Sequence, residues 1–397
     1  MITLNQEPTF PNVTKTNLLY VSSGSNIDVP QYQYVMDVKQ GSTLLTRIKQ
    51  YPNPAGVAVF DTSRILNDYL ESRVDTFKIT SSTTYGTGKG IFEIKFGEEY
   101  GTSPSSSVTL YDGQGNAGEP AVGSTPAEVW GGTIDVNNGY GYNWDDVYGE
   151  QIFLTSYPNS QSPSPEFNYK KVALSDYGTL SFKGDEVQGN IFATLRTFSG
   201  GVVGTVNLKG TVDDMGTIIP VGPQNLLDAG ITQQQLDATD WYAITVAART
   251  FYFRIDTDAC HYDRANFFFV NKLGAWDFHG ISLPKRKSTS INRETIVKPF
   301  VNYSSALSPY DLSRRGKDIY DISLEDNYTI PTQYLTQDEA EWLSEMIEST
   351  EVYLQDGNLF IPIVITNTSY LHNTNKRSQK IFQYEIQYQY ANSRRVR

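Results

Sequence analysis

The stretch from Phe382 to Tyr390 constrains this chain more than any other, because an aromatic or aliphatic side chain occupies every second position. Phe382, Tyr384, Ile386, Tyr388 and Tyr390 fall on one face of an extended backbone, and Gln383, Glu385, Gln387 and Gln389 on the other. A period of two is that of a half-buried strand, whose apolar face needs a core beneath it and whose polar face meets solvent or a neighbouring subunit. The pattern points toward a sheet and assembly, and away from chemistry.

The 397 residues can hold two or three domains with real cores. A hydrophobic fraction of 39% that includes 27 tyrosines, together with 31 glycines and 18 prolines, describes a turn-rich β protein. Lys and Arg number 32 against 44 Asp and Glu, a formal charge of −12. That balance repels a polyanion on average, so bulk nucleic-acid binding is not expected. The short basic runs Lys285, Arg286, Lys287 and Arg394, Arg395, Arg397 read as solvated charge or subunit contacts. Cys260 is the one cysteine, which excludes an intrachain disulfide and a Cys-based zinc site. The first residues lack a basic region followed by an apolar run, and the longest dense apolar patch, 267–270, is far too short to cross a bilayer. The expectation is a soluble protein made in a bacterial cytoplasm, with no membrane partner. Four Asn-x-Ser/Thr triplets, at Asn12, Asn302, Asn327 and Asn367, are what a Ser/Thr-rich chain supplies by chance.

Along the chain, alternation in Tyr32, Tyr34, Met36 and Val38 before Gln40-Gly41-Ser42 predicts a hairpin over 31–50. Asp61 is placed to cap a short helix with Ile65, Leu66, Tyr69 and Leu70 on one side. Phe92, Ile94 and Phe96 mark a strand over 90–97. A Ser/Gly/Pro-rich insertion over 101–145 predicts a long loop or inserted hairpin. Short Gly-bounded strands follow near 151–155, 178–183, 189–197 and 202–208. The Pro- and Gly-rich segment 213–236 reads as a connection with one or two short helices. This places an N-terminal β region at 1–215, a connecting segment at 216–240 and a C-terminal β domain at 241–397. In the last, Thr336-Gln337-Asp338-Glu339 fits a capping box opening a helix over 337–349. Its apolar stripe is Ala340, Leu343, Met346 and Ile347, with Glu341, Glu345 and Glu348 toward solvent. Pro362 argues for an edge or bulge in the strand 359–365. The predicted fold class is mainly β: two or more β-sandwich-like antiparallel domains, a few short helices and one capped C-terminal helix.

Motifs for chemistry are sparse. Residues 256–263 gather Asp256, Asp258, Cys260, His261 and Asp263, but side chains alternate across a strand-turn, so a polar turn with a buried thiol is the better reading than a metal site. Asp112-Gly113-Gln114-Gly115-Asn116 has the composition of a calcium loop without its ligand spacing. Gly86-Thr87-Gly88-Lys89-Gly90 lacks the first glycine and the final Ser or Thr of a phosphate loop. Neither a nucleophile elbow nor a His-Glu-x-x-His motif occurs, and His261, His279 and His372 are scattered. Trp144, with Tyr140, Tyr142, Asp145 and Asp146, has the makings of a sugar platform with carboxylates, though an aromatic surface loop or subunit contact explains it more simply.

Several segments resemble a family of structural proteins of tailed bacteriophages, particularly those infecting Bacteroidetes-type hosts. They are Pro30-Gln31-Tyr32-Gln33-Tyr34-Val35, residues 49–54, Val59-Phe60-Asp61 and residues 96–100, then residues 269–277, 335–343 and 362–370. Together they cover about a quarter of the chain, at its two ends, and the middle, 101–240, carries no such echo. The resemblance implies a virion protein of the tail, connector or baseplate, ring-forming with copies of itself and bound to other virion proteins. It brings no catalytic residue and no cofactor. The expected function is therefore non-enzymatic and structural, with a receptor- or glycan-binding tail protein as the alternative and a polysaccharide-degrading enzyme last. Candidate interface or ligand-contact residues are Tyr140, Tyr142, Trp144, Trp276, Trp342, Tyr384, Tyr388 and Tyr390.

Overall fold

The computed structural model describes residues 1–8, 10, 12–15, 17–70, 85–86, 89–103, 107–133, 154–155, 157, 169–182, 191–208, 217–246, 249–256, 262–298, 316–367 and 382–392. Strands make up 53% and helices 11% of the described residues, so the protein is mainly β. The chain divides into two units, residues 1–255 with 270–277, and residues 256–269 with 278–397.

The first unit begins with β1 (Ile2–Gln6), β2 (Asn12–Lys15), β3 (Leu19–Gly24), β4 (Gln33–Gln40), β5 (Thr43–Gln50), β6 (Val57–Asp61) and α1 (Ser63–Tyr69). β7 (Tyr85–Gly86), β8 (Lys89–Tyr100), β9 (Thr109–Tyr111), β10 (Val122–Gly123) and β11 (Ala127–Thr133) follow. One sheet runs β1-β3-β6 and a second β2-β11-β8-β4-β5, with β9 and β10 also on β8. Their apolar faces share one core, in which Phe96 of β8 lies 5.4 Å from Tyr20 of β3 and 5.9 Å from Phe60 of β6. This is a sandwich-like arrangement, and the period-two burial of Phe92, Ile94 and Phe96 is what lets β8 line it. The β4–β5 hairpin closes through Gly41 and Ser42, with Gly41 at φ 58°, a left-handed conformation suited to glycine. Across the hairpin, Arg47 grips the fully buried Asp37 through Nε–Oδ1 at 2.7 Å and Nη2–Oδ2 at 2.8 Å, and also contacts Glu119.

Two expectations need correction here. The α1 N-cap is Thr62, while Asp61, one residue earlier, accepts the Ser63 N–H at 3.0 Å, and only Leu66 of the expected apolar side is fully buried. Of the two forms expected for the 101–145 insertion, the long loop gives way over 107–133 to strand pairing, because β9, β10 and β11 all pair with β8; residues 104–106 and 134–145 lie outside the described residues.

The rest of this unit comprises β12 (Lys170–Val172), β13 (Thr179–Phe182), β14 (Phe192–Arg196), β15 (Val202–Asn207), β16 (Thr217–Pro220), α2 (Pro223–Asp228), α3 (Gln233–Asp237), β17 (Trp241–Val246) and β18 (Arg249–Ile255). They build a sheet β12-β18-β17-β14-β15 and a smaller one, β13-β16-β7. Tyr242 stacks on Phe253 at 4.9 Å and donates its hydroxyl to the Val221 carbonyl at 2.8 Å. The predicted division at 216–240 gives way to one after Ile255, since the β17 ladder runs along both β14 and β18 and ties 241–255 to the preceding strands. The Pro- and Gly-rich signal belongs instead to the start of α2, with Pro223 in its first turn. Two pairings among the described residues, β2–β11 and β12–β18, are parallel in an otherwise antiparallel set.

Residues 271–275 form a turn of this same unit, locked by one side chain. Asn271 Oδ1 accepts the N–H groups of Leu273 and Ala275, both at 3.0 Å, and its Nδ2 donates to the Leu154 carbonyl at 2.7 Å and to Asp277 Oδ2 at 2.9 Å.

The second unit is organised by one sheet, in the order β20-β19-β23-β24-β25-β22-β21. Its strands are β19 (Ala265–Val270), β20 (Trp276–Ile281), β21 (Arg286–Val297), β22 (Lys317–Pro331), β23 (Val352–Asp356), β24 (Leu359–Ile365) and β25 (Glu385–Tyr390), with α4 (Gln337–Glu348) between β22 and β23. Thr336 Oγ1 accepts the Glu339 N–H at 3.3 Å, as the capping signal predicts. Trp342 joins Ala340, Leu343 and Met346 in the buried stripe of α4 and lies 5.6 Å from the rings of Phe269 and His279. Glu345, expected to face solvent, is 6% exposed, because it sits one turn from Trp342 on the widened buried face. β24 is an interior strand in spite of Pro362, whose missing N–H is tolerated because the ladder with β25 starts only at Ile363. In β25 the predicted alternation holds: Ile386 and Tyr388 are buried, Glu385 and Gln387 exposed.

Burial holds the phenols of Tyr20, Tyr32, Tyr242 and Tyr388 above tyrosine's ordinary 10.0. A raised folded-state value keeps the proton in the native protein while the unfolded chain ionises, so the stabilisation is complete below about pH 10 and is lost as pH rises beyond it. In an alkaline titration the phenolate absorbance of these residues is expected to appear together with loss of near-ultraviolet circular dichroism; ionisation in a still-folded protein would contradict their burial.

Candidate assembly surface

The longest strand pair of the second unit is β21 with β22, and it extends far beyond the rest of the sheet. β22 pairs with β25 only over Tyr328–Pro331, whereas β21 pairs with β22 from Arg286 opposite Thr329 to Val297 opposite Lys317. Twelve residues at strand spacing make an arm about 40 Å long. Every residue of β21 is exposed.

The sequence explains the anchoring at its root. Tyr328 stacks on the buried Tyr388 at 5.3 Å and meets Tyr390 edge-on at 5.1 Å. Lys285 and Lys287 each place Nζ 5.6 Å from the Tyr328 ring centroid. Lys287 also reaches Asp326 at 2.7 Å, and that hydrogen bond holds its ammonium above lysine's ordinary range. Farther out, side chains of the arm are exposed. Ile291, Ile296, Ile319, Tyr320 and Val297 are 47%, 48%, 48%, 66% and 74% exposed, too much apolar surface for an element that only needs to be soluble. A bulge follows Glu294: Asp321 lies opposite Glu294 and Ile319 opposite Thr295, leaving Tyr320 as the extra residue, its hydroxyl on the Glu294 carboxylate.

Charge is divided between the two strands. β21 carries Arg286, Lys287 and Arg293 against Glu294, a net of +2, and β22 carries Lys317 against Asp318, Asp321, Glu325 and Asp326, a net of −3. Two-stranded ribbons are at best marginally stable in water, and natural edge strands are kept short when they only need protecting from aggregation. An exposed ribbon of this length with apolar side chains is therefore suited to being covered.

The residues singled out from sequence fare differently. Trp342 and Tyr388 are 1% and 0% exposed and serve the core, as do Tyr384 and Trp276, whose carbonyl accepts the Thr179 hydroxyl at 3.0 Å. Burial removes these four from a surface role within the chain, and Tyr390, partly buried at the arm's root, is the one that borders the candidate surface. Tyr140, Tyr142 and Trp144 lie outside the described residues, as do Asp145, Asp146, Cys260 and His261. Asp112 is occupied by its own loop, accepting from the N–H groups of Gln114 and Asn116 at 2.7 and 3.1 Å and from Asn116 Nδ2 at 3.0 Å. These donors, the Asn116 amide foremost, hold its carboxyl below the usual range. Among the described residues no three His, Cys, Asp or Glu side chains converge as a metal site, and no helix is long and apolar enough to cross a membrane. The sequence predicts strands between 289 and 303, which overlap β21, and none over 317–331, so β22 is the part of the arm it misses. The signal was present in Tyr320, Ile322 and Leu324, alternating across an acidic segment.

No protein-family model matches this sequence, and no curated protein matches it.

Proposed function

We propose that this chain is a non-enzymatic structural subunit of a tailed-bacteriophage virion, built into the tail, connector or baseplate region together with copies of itself and other virion proteins. The observation that carries the structural part is the β21–β22 arm, about 40 Å of paired strand in which every residue of β21 is exposed and both strands bear exposed apolar side chains. A surface of that kind is useful to a protein that is covered on assembly. The virion part rests on the resemblance carried by residues 30–35, 49–54, 59–61, 96–100, 269–277, 335–343 and 362–370. The glycan-binding alternative depends on Tyr140, Tyr142 and Trp144, outside the described residues, so no contact favours it.

Quantitative mass spectrometry of particles purified from a host carrying the gene tests the reading. The chain is expected at a fixed ratio to the other virion proteins through successive purification steps. Particles that lack it while the infected lysate contains it would overturn the proposal.

A further inference from the structure

Each strand of an antiparallel pair directs half of its backbone N–H and C=O groups toward its partner and half away. β21 is the last strand of its sheet, and between residues 319 and 325 the one strand paired with β22 among the described residues is β21. Among the described residues the arm therefore presents two open edges of opposite character. Arg286 and Arg293 on β21, and Asp321 and Glu325 on β22, form no ion pair among the described residues. Asp321 moreover lies directly across from Glu294, a like-charge cross-strand pair that destabilises the isolated arm and that a cation from outside relieves.

From this division of charge we infer that the arm is completed by the arm of a second copy of this chain, the β21 edge of one copy adding as a strand to the β22 edge of the next. Identical edges are not complementary, since β21 against β21 brings together two strands of net +2, and β22 against β22 two of net −3. Complementarity exists only for unlike edges. Backbone hydrogen bonds then extend the ribbon, the exposed Ile291, Ile319 and Val297 gain apolar neighbours, and the Glu294–Asp321 pair gains an arginine. Because the two edges differ, the contact is heterologous and propagates from copy to copy, closing a ring if the rotation permits and otherwise building a filament. The inference rests on the structural-subunit reading and names the surface and partner through which it acts.

Charge reversal on one edge at a time tests it, read as the light-scattering mass of the 397-residue chain. Arg286→Glu with Arg293→Glu makes both edges acidic, and Asp321→Lys with Glu325→Lys makes both basic. Each double variant alone is expected to fall to the monomer mass of 44.5 kDa, and an equimolar mixture of the two to recover the mass of the unaltered protein. Unchanged circular dichroism shows that both variants are folded. Added salt supplies a check without mutation, because exposed charge pairs are screened and the unaltered protein is expected to dissociate. Masses indifferent to both reversals and to salt would overturn the inference. If that happens while the chain is present in purified particles, the arm proposal fails and the virion reading stands; arm-dependent assembly by a chain absent from particles has the opposite meaning.

Discussion

Trp342→Ala is expected to destabilise the second unit by about 3–5 kcal/mol, the range for truncating a large aromatic in a packed core. Trp342 is 1% exposed, on the buried face of α4, with the rings of Phe269 and His279 both 5.6 Å away. Removing the indole leaves a cavity between a helix and strands that are each held elsewhere by backbone ladders, so collapse can fill only part of it. Since a domain is stable by only about 5–15 kcal/mol, the loss is a large fraction of the total. The midpoint of urea unfolding, followed by circular dichroism, should drop sharply for Trp342→Ala and much less for Trp342→Phe. An unshifted midpoint would place the indole on a surface and restore it as a contact residue.

The second large effect concerns the Asp37–Arg47 pair in the first unit. Asp37 is fully buried and receives two parallel hydrogen bonds from the guanidinium, which is itself 25% exposed at the rim. Hydrogen bonding to Asp37 is the main cause that raises the Arg47 guanidinium above its ordinary value. Arg47→Ala leaves a buried carboxylate without its cation, a change that costs about 3–5 kcal/mol in comparable pairs, the lower end applying here because the arginine is partly solvated. Arg47→Lys keeps the charge but loses the fork, so it should recover only part of the loss. Replacing both partners, as Asp37→Leu with Arg47→Met, is expected to be near neutral. Chemical denaturation of the four proteins checks the order, and a double variant as unstable as Arg47→Ala would show that the pair matters through packing and not through charge.

What could be read from the sequence was whatever a single element dictates. The alternation of Tyr384, Ile386 and Tyr388 gives the inward face of β25, Gly41 gives a hairpin turn, and Thr336 gives the start of α4. Trp342 was legible too, since at 100° per residue it flanks the stripe of Ala340, Leu343 and Met346. The division after Ile255 was not, because it depends on which distant strands β17 and β18 pair with, and β12 joins β18 across about eighty residues. The second strand of the arm, β22, escaped for a different reason. Its alternation, Tyr320, Ile322 and Leu324, is short, lies in an acidic segment and breaks at the bulge where Tyr320 is the extra residue.

Assembly through the arm is most directly tested by the mass of the unaltered 397-residue chain in solution, measured by light scattering over a range of concentrations at low salt. A multiple of 44.5 kDa is expected, growing with concentration toward one closed size or an open series. A monomer at every concentration would contradict the arm as a surface for its own kind.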